Sequence, residues 1–173
     1  GYDALGRLTS VTDVEGNITS YSYDEAGNKL SQTDAMSRVT KWSYDSLGRV
    51  LSRTLPLGQV ENFTYDAIGN RLTHTNFNGE LISYGYDSSD RVNLITYAKD
   101  NSTESFSYDN NGNRLTATSS QGTWTYTYDS QNRLSTETKP SGEKLAYTYD
   151  ANGNKTQLMR QLLFLVKHEL SAN

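Results

Sequence analysis

The chain has no cysteine, only two prolines, and no apolar run long enough to cross a bilayer. Without cysteine there is neither a disulfide framework nor a thiolate metal site, and cysteine usage leaves the redox compartment open. Acidic and basic residues nearly balance, 20 against 16, for a net charge of -4. The basic excess of a nucleic-acid-binding domain is therefore missing, and we expect no nucleic-acid partner. Apolar residues make up only 34% of the 173 positions, and the mean hydropathy is -0.74. Such a composition is poor material for a thick hydrophobic core. No signal peptide is visible and Gly1 directly precedes a repeat motif, so we read the chain as a piece of a longer protein.

What the sequence does have is tyrosine followed by aspartate, eight times over: Tyr2, Tyr23, Tyr44, Tyr65, Tyr86, Tyr108, Tyr128 and Tyr149, each before Asp3, Asp24, Asp45, Asp66, Asp87, Asp109, Asp129 or Asp150. The gaps are 20 to 22 residues. A short unit copied end to end means that the fold must be read from the unit. Three residues after each aspartate stands Gly6, Gly27, Gly48, Gly69, Asp90, Gly112, Asn132 or Gly153. Asp and Asn are the residues that best replace glycine in the left-handed backbone region, so this position predicts a positive φ. The aspartate carboxylate would accept a backbone N–H two residues on, closing an Asx-turn.

Before each turn the chain alternates. An aromatic residue stands two positions ahead of the tyrosine (Tyr21, Trp42, Phe63, Tyr84, Phe106, Tyr126, Tyr147), with a small residue between them. This period of two, rich in aromatics and Thr, predicts a strand with one aromatic face. A basic residue, usually an aliphatic one and a Ser/Thr-rich run then predict a second strand, and Gly16, Gly58, Gly79, Gly122 and Gly142 mark a second turn. The expected fold is all-β: tandem antiparallel hairpins in one continuous curved sheet. The thirteen tyrosines supply the burial that aliphatic residues do not.

A finer alternation runs beneath. In odd copies the basic residue follows the turn position directly (Arg7, Arg49, Arg91, Arg133), while in even copies an asparagine intervenes (Asn28-Lys29, Asn70-Arg71, Asn113-Arg114, Asn154-Lys155). The true period is two copies. One extra loop residue in alternate turns would act as a bulge and bend the sheet. The cations would form a solvated ladder with the turn aspartates.

Eight phased copies of Tyr-Asp-x-x-Gly, four of which continue as Gly-Asn-Arg/Lys, resemble the YD-repeat or RHS-repeat family of rearrangement-hotspot proteins, wall-associated proteins, toxin-complex shell components and teneurins. The resemblance runs from Tyr2 to about Lys155. It implies a long antiparallel sheet that spirals into a hollow shell around a toxin polypeptide encoded at the C-terminal end. The partners it implies are the rest of the parent shell and that cargo, and the location is secreted or at the cell surface. The structural turn residues are then Tyr23, Asp24, Gly27, Tyr44, Asp45, Gly48, Tyr65, Asp66, Gly69, Tyr108, Asp109, Gly112, Tyr149, Asp150 and Gly153. Seven units at two strands each, about 4.8 Å apart, give roughly 70 Å of sheet. A cargo of about 100 residues has a circumference above roughly 100 Å, so this strip would be a panel of a shell.

After residue 155 the repeat breaks. Leu158, Met159, Leu162, Leu163, Val166 and Leu170 recur at helical spacing, which predicts a short amphipathic helix in a tail spanning 156–173, against a repeat array over 1–155. The tail reads as a cap, as the start of another module, or as a truncated end. The proline- and aspartate-containing closing motif of the family is absent.

Nothing converges on catalysis or a cofactor. His74 and His168 stand alone, there is no Gly-x-Ser-x-Gly elbow, and the turns match neither an EF-hand nor a calcium β-roll. We expect no enzyme activity. The rival functional class is adhesion or carbohydrate binding, for which the rows of rings are suited and Trp124 is the candidate glycan contact. Open sheet edges predict self-association.

Overall fold

Strict alternation before each turn and a Ser/Thr-rich run after it leave only extended backbone between reversals. In a computed structural model of the chain, which describes residues 1–161, every regular element is a strand. The strands are β1 (Ser10–Thr12), β2 (Ile18–Tyr23), β3 (Lys29–Thr33), β4 (Val39–Tyr44), β5 (Val50–Thr54), β6 (Val60–Tyr65), β7 (Arg71–Thr75), β8 (Leu81–Tyr86), β9 (Val92–Tyr97), β10 (Ser102–Tyr108), β11 (Arg114–Ser119), β12 (Gly122–Tyr128), β13 (Leu134–Thr138), β14 (Lys144–Tyr149) and β15 (Lys155–Gln161). They follow one another in chain order in one antiparallel sheet. The chain divides into two units, Gly1–Gly85 with Thr96–Asn101, and Tyr86–Ile95 with the residues from Ser102 onward.

Two kinds of hairpin alternate. In those closed by a Tyr-Asp turn the register shifts just before the turn: Ser43 faces Ser52 but Tyr44 faces Val50, and Ser22 faces Ser31 but Tyr23 faces Lys29. The same shift precedes the turns after Tyr65, Tyr108, Tyr128 and Tyr149. The second-turn hairpins, such as β3 with β4 and β5 with β6, carry no shift. Odd and even copies are alike in this, and their turns close with the same pair of backbone bonds: Asp24 N–H to Asn28 O and Gly27 N–H to Asp24 O, Asp45 N–H to Arg49 O and Gly48 N–H to Asp45 O. The bulge expected only in alternate turns is therefore wrong. The turns after Tyr23, Tyr44, Tyr65, Tyr108, Tyr128 and Tyr149 are bulged in odd and even copies alike, and the asparagine occupies the loop position that arginine holds in odd copies rather than adding a residue.

No hydrophobic side chain is buried among the described residues, and the single buried residue is Glu61. With one layer and nothing packed upon it, side chains can cover only one another along the sheet, so each copy is stabilised chiefly by its neighbours. The rings and cations occupy one face. On the other, the small residues between the aromatics pair across strands, hydroxyl to hydroxyl: Ser22 with Ser31, Ser43 with Ser52 and Thr64 with Thr73 at 2.6 Å, Ser107 with Thr116 and Thr127 with Thr136 at 2.7 Å.

The tail corrects a second expectation. Residues 155–161 form strand β15, paired along β14 from Tyr149↔Lys155 to Lys144↔Gln161, where a helix was expected to begin. The free edge of β14 offers a full ladder of backbone partners, and that outweighs a local apolar periodicity. Leu158 and Met159 stand more than half exposed on this strand. The rest of the expected helix, 162–173, lies outside the described residues.

Candidate functional site

The chemistry-bearing side chains are spread along the rim and the aromatic face as a lattice rather than gathered at one point. Its first element is the turn aspartate. In Asp45, Oδ1 accepts the N–H groups of Leu47 and Arg49, both at 2.9 Å, while Oδ2 accepts Arg49 Nε at 2.6 Å. In Asp66, Oδ1 takes the N–H groups of Ile68 and Asn70, and Oδ2 takes Asn70 Nδ2 at 3.0 Å. Asp24, Asp109 and Asp150 repeat the asparagine version. These bonds hold the carboxyls below their ordinary range. The Arg49 N–H leads for Asp45, opposed by partial desolvation and helped by the guanidinium, and the Asn113 side-chain amide leads for Asp109. The residue three beyond each aspartate has positive φ, and this includes Asp90 at 59° and Asn132 at 60° where glycine is absent. Ser37, at 61°, fills the same role in a second turn, where no sequence signal pointed to it.

The tyrosine is the second element. Six of these hydroxyls reach back to a main-chain carbonyl of the preceding copy: Tyr23 to Leu8 at 2.8 Å, Tyr44 to Lys29, Tyr65 to Val50 and Tyr128 to Arg114 at 2.9 Å, Tyr108 to Val92 and Tyr149 to Leu134 at 2.8 Å. The ring thus spans the seam between two hairpins.

The cations form the third element, and the shift of one position between odd and even copies sends them to different places. Odd-copy arginines stay at the rim. Each pairs with its own aspartate, donates Nη1 to the main-chain carbonyl of the next turn's aspartate, and lies over the next tyrosine. Arg7 reaches Asp24 O at 2.7 Å and Tyr23 at 5.0 Å, and Arg49 reaches Asp66 O at 2.8 Å and Tyr65 at 4.8 Å. Arg91 and Arg133 do likewise, to Asp109 O and Tyr108 and to Asp150 O and Tyr149. Even-copy cations enter the strand instead and wedge between rings. Lys29 lies 4.0 Å from Trp42 and 5.9 Å from Tyr21, and Arg114 lies 5.0 Å from Tyr126 and 5.8 Å from Phe106. A uniform solvated Asp-Arg ladder is therefore not what forms. The odd cations pair with the aspartates of their own Tyr-Asp turns, as Arg38 does with Asp34 in a second turn, and in Arg7, Arg49, Arg91 and Arg133 about three quarters of the side-chain surface is covered.

One cluster breaks the repetition. Glu61 has Arg53 Nε at 2.6 Å from Oε1, an ion pair outside hydrogen-bond geometry, and His74 Nε2 at 3.2 Å from Oε2. The His74 ring stacks on Phe63 at 4.7 Å. Cross-strand register places Glu61 opposite Arg53 and His74 opposite Phe63. No sequence signal joined these residues, because their proximity depends on that register. Among the described residues no group of histidine, aspartate and glutamate is arranged to hold a metal ion. Trp124, the glycan candidate, is half-buried and faces Ala117 across the strands. It borders a shallow depression of about 220 Å³ with Glu104, Phe106, Thr118 and Ser119.

Comparison with known proteins bears on the repeat and its fold. Residues 2–35 and 29–60 match the RHS Repeat family, and residues 60–159 match the Teneurin YD-shell family. No curated protein matches. Among solved structures, the Photorhabdus luminescens Tc holotoxin pore carrying TccC3-D651A is similar over 84% of this chain and 9% of its own, at 23% identity and a TM-score of 0.70. TcdB2-TccC3-TEV is similar over 93% of this chain and 11% of its own, at 20% identity and a TM-score of 0.77. TcdB2-TccC3-Cdc42 matches over the same shares and at the same identity, with a TM-score of 0.76. The chain thus spans about a tenth of the solved chains whose fold it shares. The bulged Tyr-Asp turns, the seam-spanning tyrosines and a Teneurin YD-shell match over more than half its length show that this chain belongs to the YD-repeat, or RHS-repeat, family.

Proposed function

We propose that this chain is a panel of an RHS/YD shell that encloses a C-terminal toxin polypeptide and helps deliver it, outside the cell that makes it, in bacterial competition or an insecticidal complex. The observation that carries this reading is the absence of any buried hydrophobic side chain among the described residues of a fifteen-stranded sheet. A wall one strand thick, with its polar groups satisfied by its own repeats, suits enclosure. It offers no convergent set of groups for catalysis. The similar Tc structures support the reading through their shared fold. The mechanism is steric: a continuous hydrogen-bonded wall keeps the cargo from solvent until delivery. Limited proteolysis of the parent protein tests it. The C-terminal polypeptide resists digestion when the panel is intact and is cut rapidly when residues 60–159 are deleted, whereas equal rates in both proteins would refute enclosure.

The depression beside Trp124 favours a second reading, adhesion through glycans. An indole with a carboxylate and two hydroxyls beside it offers a stacking surface together with hydrogen-bond partners. Tryptophan emission unchanged across a glycan panel would remove it. Exposed on all seven residues, β15 also supports edge pairing with a second copy, and sedimentation at rising concentration tests that.

A further inference from the structure

Among the described residues, every large apolar side chain that is 71% exposed or more lies within the first 68 positions. Tyr2 is one, and the other six stand at turn tips of the first unit. Leu5, Leu47 and Ile68 follow a Tyr-Asp aspartate by two residues, while Val14, Met36 and Leu57 stand in second turns, at the opposite ends of the strands. The later Tyr-Asp turns carry Ser89, Asn111, Gln131 and Asn152 at the same position. A hairpin asks for no apolar residue at its tip, so the difference has no cause within the turn. The turn at Leu57 departs furthest. Leu55 opens it where Asp13, Asp34 and Asn76 open its neighbours, and it forgoes the side-chain bonds that Asp34 makes to the N–H groups of Met36 and Arg38. Clefts of about 460 and 370 Å³ adjoin this turn and share Arg38, Leu55, Pro56 and Leu57 as walls. Exposed Lys41 borders the larger one.

We infer that the two rims of the first unit dock on each other between molecules, the Ile68 tip of one chain seating in the clefts beside Leu57 of a second copy. The fit is apolar knob to apolar hollow: a bare isoleucine meets walls of leucine and proline that the fold also leaves in water. Charge agrees with it. The Asp66 carboxylate beside Ile68 is held by backbone N–H groups and the Asn70 amide rather than by a paired cation, and the larger cleft offers Arg38 and Lys41. Spacing agrees too. On both rims consecutive turns are two strands apart, roughly 10 Å, so a seated Ile68 brings Leu47 to the next gap along. Because the two surfaces differ, the contact is head to tail. Each added copy leaves a free tip at one end and a free cleft at the other, and association continues beyond two.

The test uses the whole 173-residue chain, which has no cysteine of its own. Ala67→Cys lies beside the tip and Gln59→Cys beside the cleft, and both leave Ile68 and Leu57 in place. When the two variants are mixed in equal amounts in a glutathione redox buffer, the mixed disulfide is expected to far exceed the half share of random pairing. A half share or less overturns the inference. Sedimentation at rising concentration gives the second readout. Ile68→Ser is expected to weaken association on the order of tenfold to a hundredfold, while Gln131→Ser, at a polar tip of copy seven, leaves it as it was. All four substituted positions are exposed, so the fold is expected to survive each change. A wild type that stays monomeric throughout, or equal effects of the two serine variants, overturns a second copy as the occupant. Pairing through β15 uses neither tip, so association undiminished in Ile68→Ser belongs to that edge and refutes docking at the rim.

Discussion

The Tyr44 hydroxyl donates a 2.9 Å hydrogen bond to the main-chain carbonyl of Lys29, fifteen residues earlier, where the ladder between β3 and β4 has already ended. The bond explains why the repeat carries tyrosine rather than phenylalanine at this position. A carbonyl left over at the bulged rim needs a donor, and only a ring with a hydroxyl both covers the seam and supplies one.

Tyr65→Phe is the direct test. It keeps the ring under Arg49 and removes the bond to Val50 O, so the expected loss is about 1 kcal/mol, the net contribution of a neutral hydrogen bond. Tyr65→Leu also removes the cation–π contact and much of the covering area, and is expected to cost about 2–3 kcal/mol. Urea midpoints of the two variants would show it. Equal losses would mean that the hydroxyl contributes nothing.

The turn aspartates predict acid sensitivity. Their folded pKa values lie below the ordinary carboxylate value, so they stabilise the fold above the unfolded pKa and that stabilisation is lost as pH falls through the folded pKa. Thermal midpoints should hold steady from about pH 7 to 5 and fall below about pH 4, near the unfolded carboxyl value. A midpoint that rises on acidification would contradict the assignment.

Asp45→Asn and Asp45→Ala separate the two jobs of the carboxylate. Asparagine keeps an acceptor for the N–H groups of Leu47 and Arg49 but loses the charge beside Arg49 Nε. Alanine loses both. The expected order of thermal midpoints is wild type, then Asn, then Ala, and the even-copy variant Asp66→Asn, opposite Asn70 instead of arginine, should lose less than Asp45→Asn.

Backbone conformation gives a prediction of opposite sign. Ser37 holds a φ of 61° where the second turns at Gly16, Gly58, Gly79, Gly122 and Gly142 have glycine, so Ser37→Gly should raise stability by up to about 1 kcal/mol. Gly69, at 106° with open space around it, should lose about 1–2 kcal/mol on change to alanine, through strain alone. Chemical denaturation of both variants tests the pair.

The candidate lattice was partly legible in the sequence. Tyrosine spacing gave the hairpins, and the Asp90 and Asn132 substitutions pointed to positive φ, because steric limits on the backbone belong to single residues. The destinations of the basic residues were not legible. Arg49 and Lys29 look like members of one ladder in the sequence, yet one stays at the rim on Asp45 and the other enters a strand beneath Trp42. A displacement of one position in an extended chain changes what a side chain faces, and the partner is set by the adjacent strand's register. The Glu61, Arg53 and His74 cluster was hidden for the same reason.

By itself the sequence determined that this protein is a repetitive antiparallel sheet, since reversals and alternation are local properties written into each copy of about twenty-one residues. Tertiary structure alone decided which hairpins are fastened together at the rim, and it drew residues 155–161 into a strand against their helical spacing. Both outcomes depend on what the neighbouring strand presents, whether a carbonyl, a ring or a free edge, and that is a property of the assembled sheet.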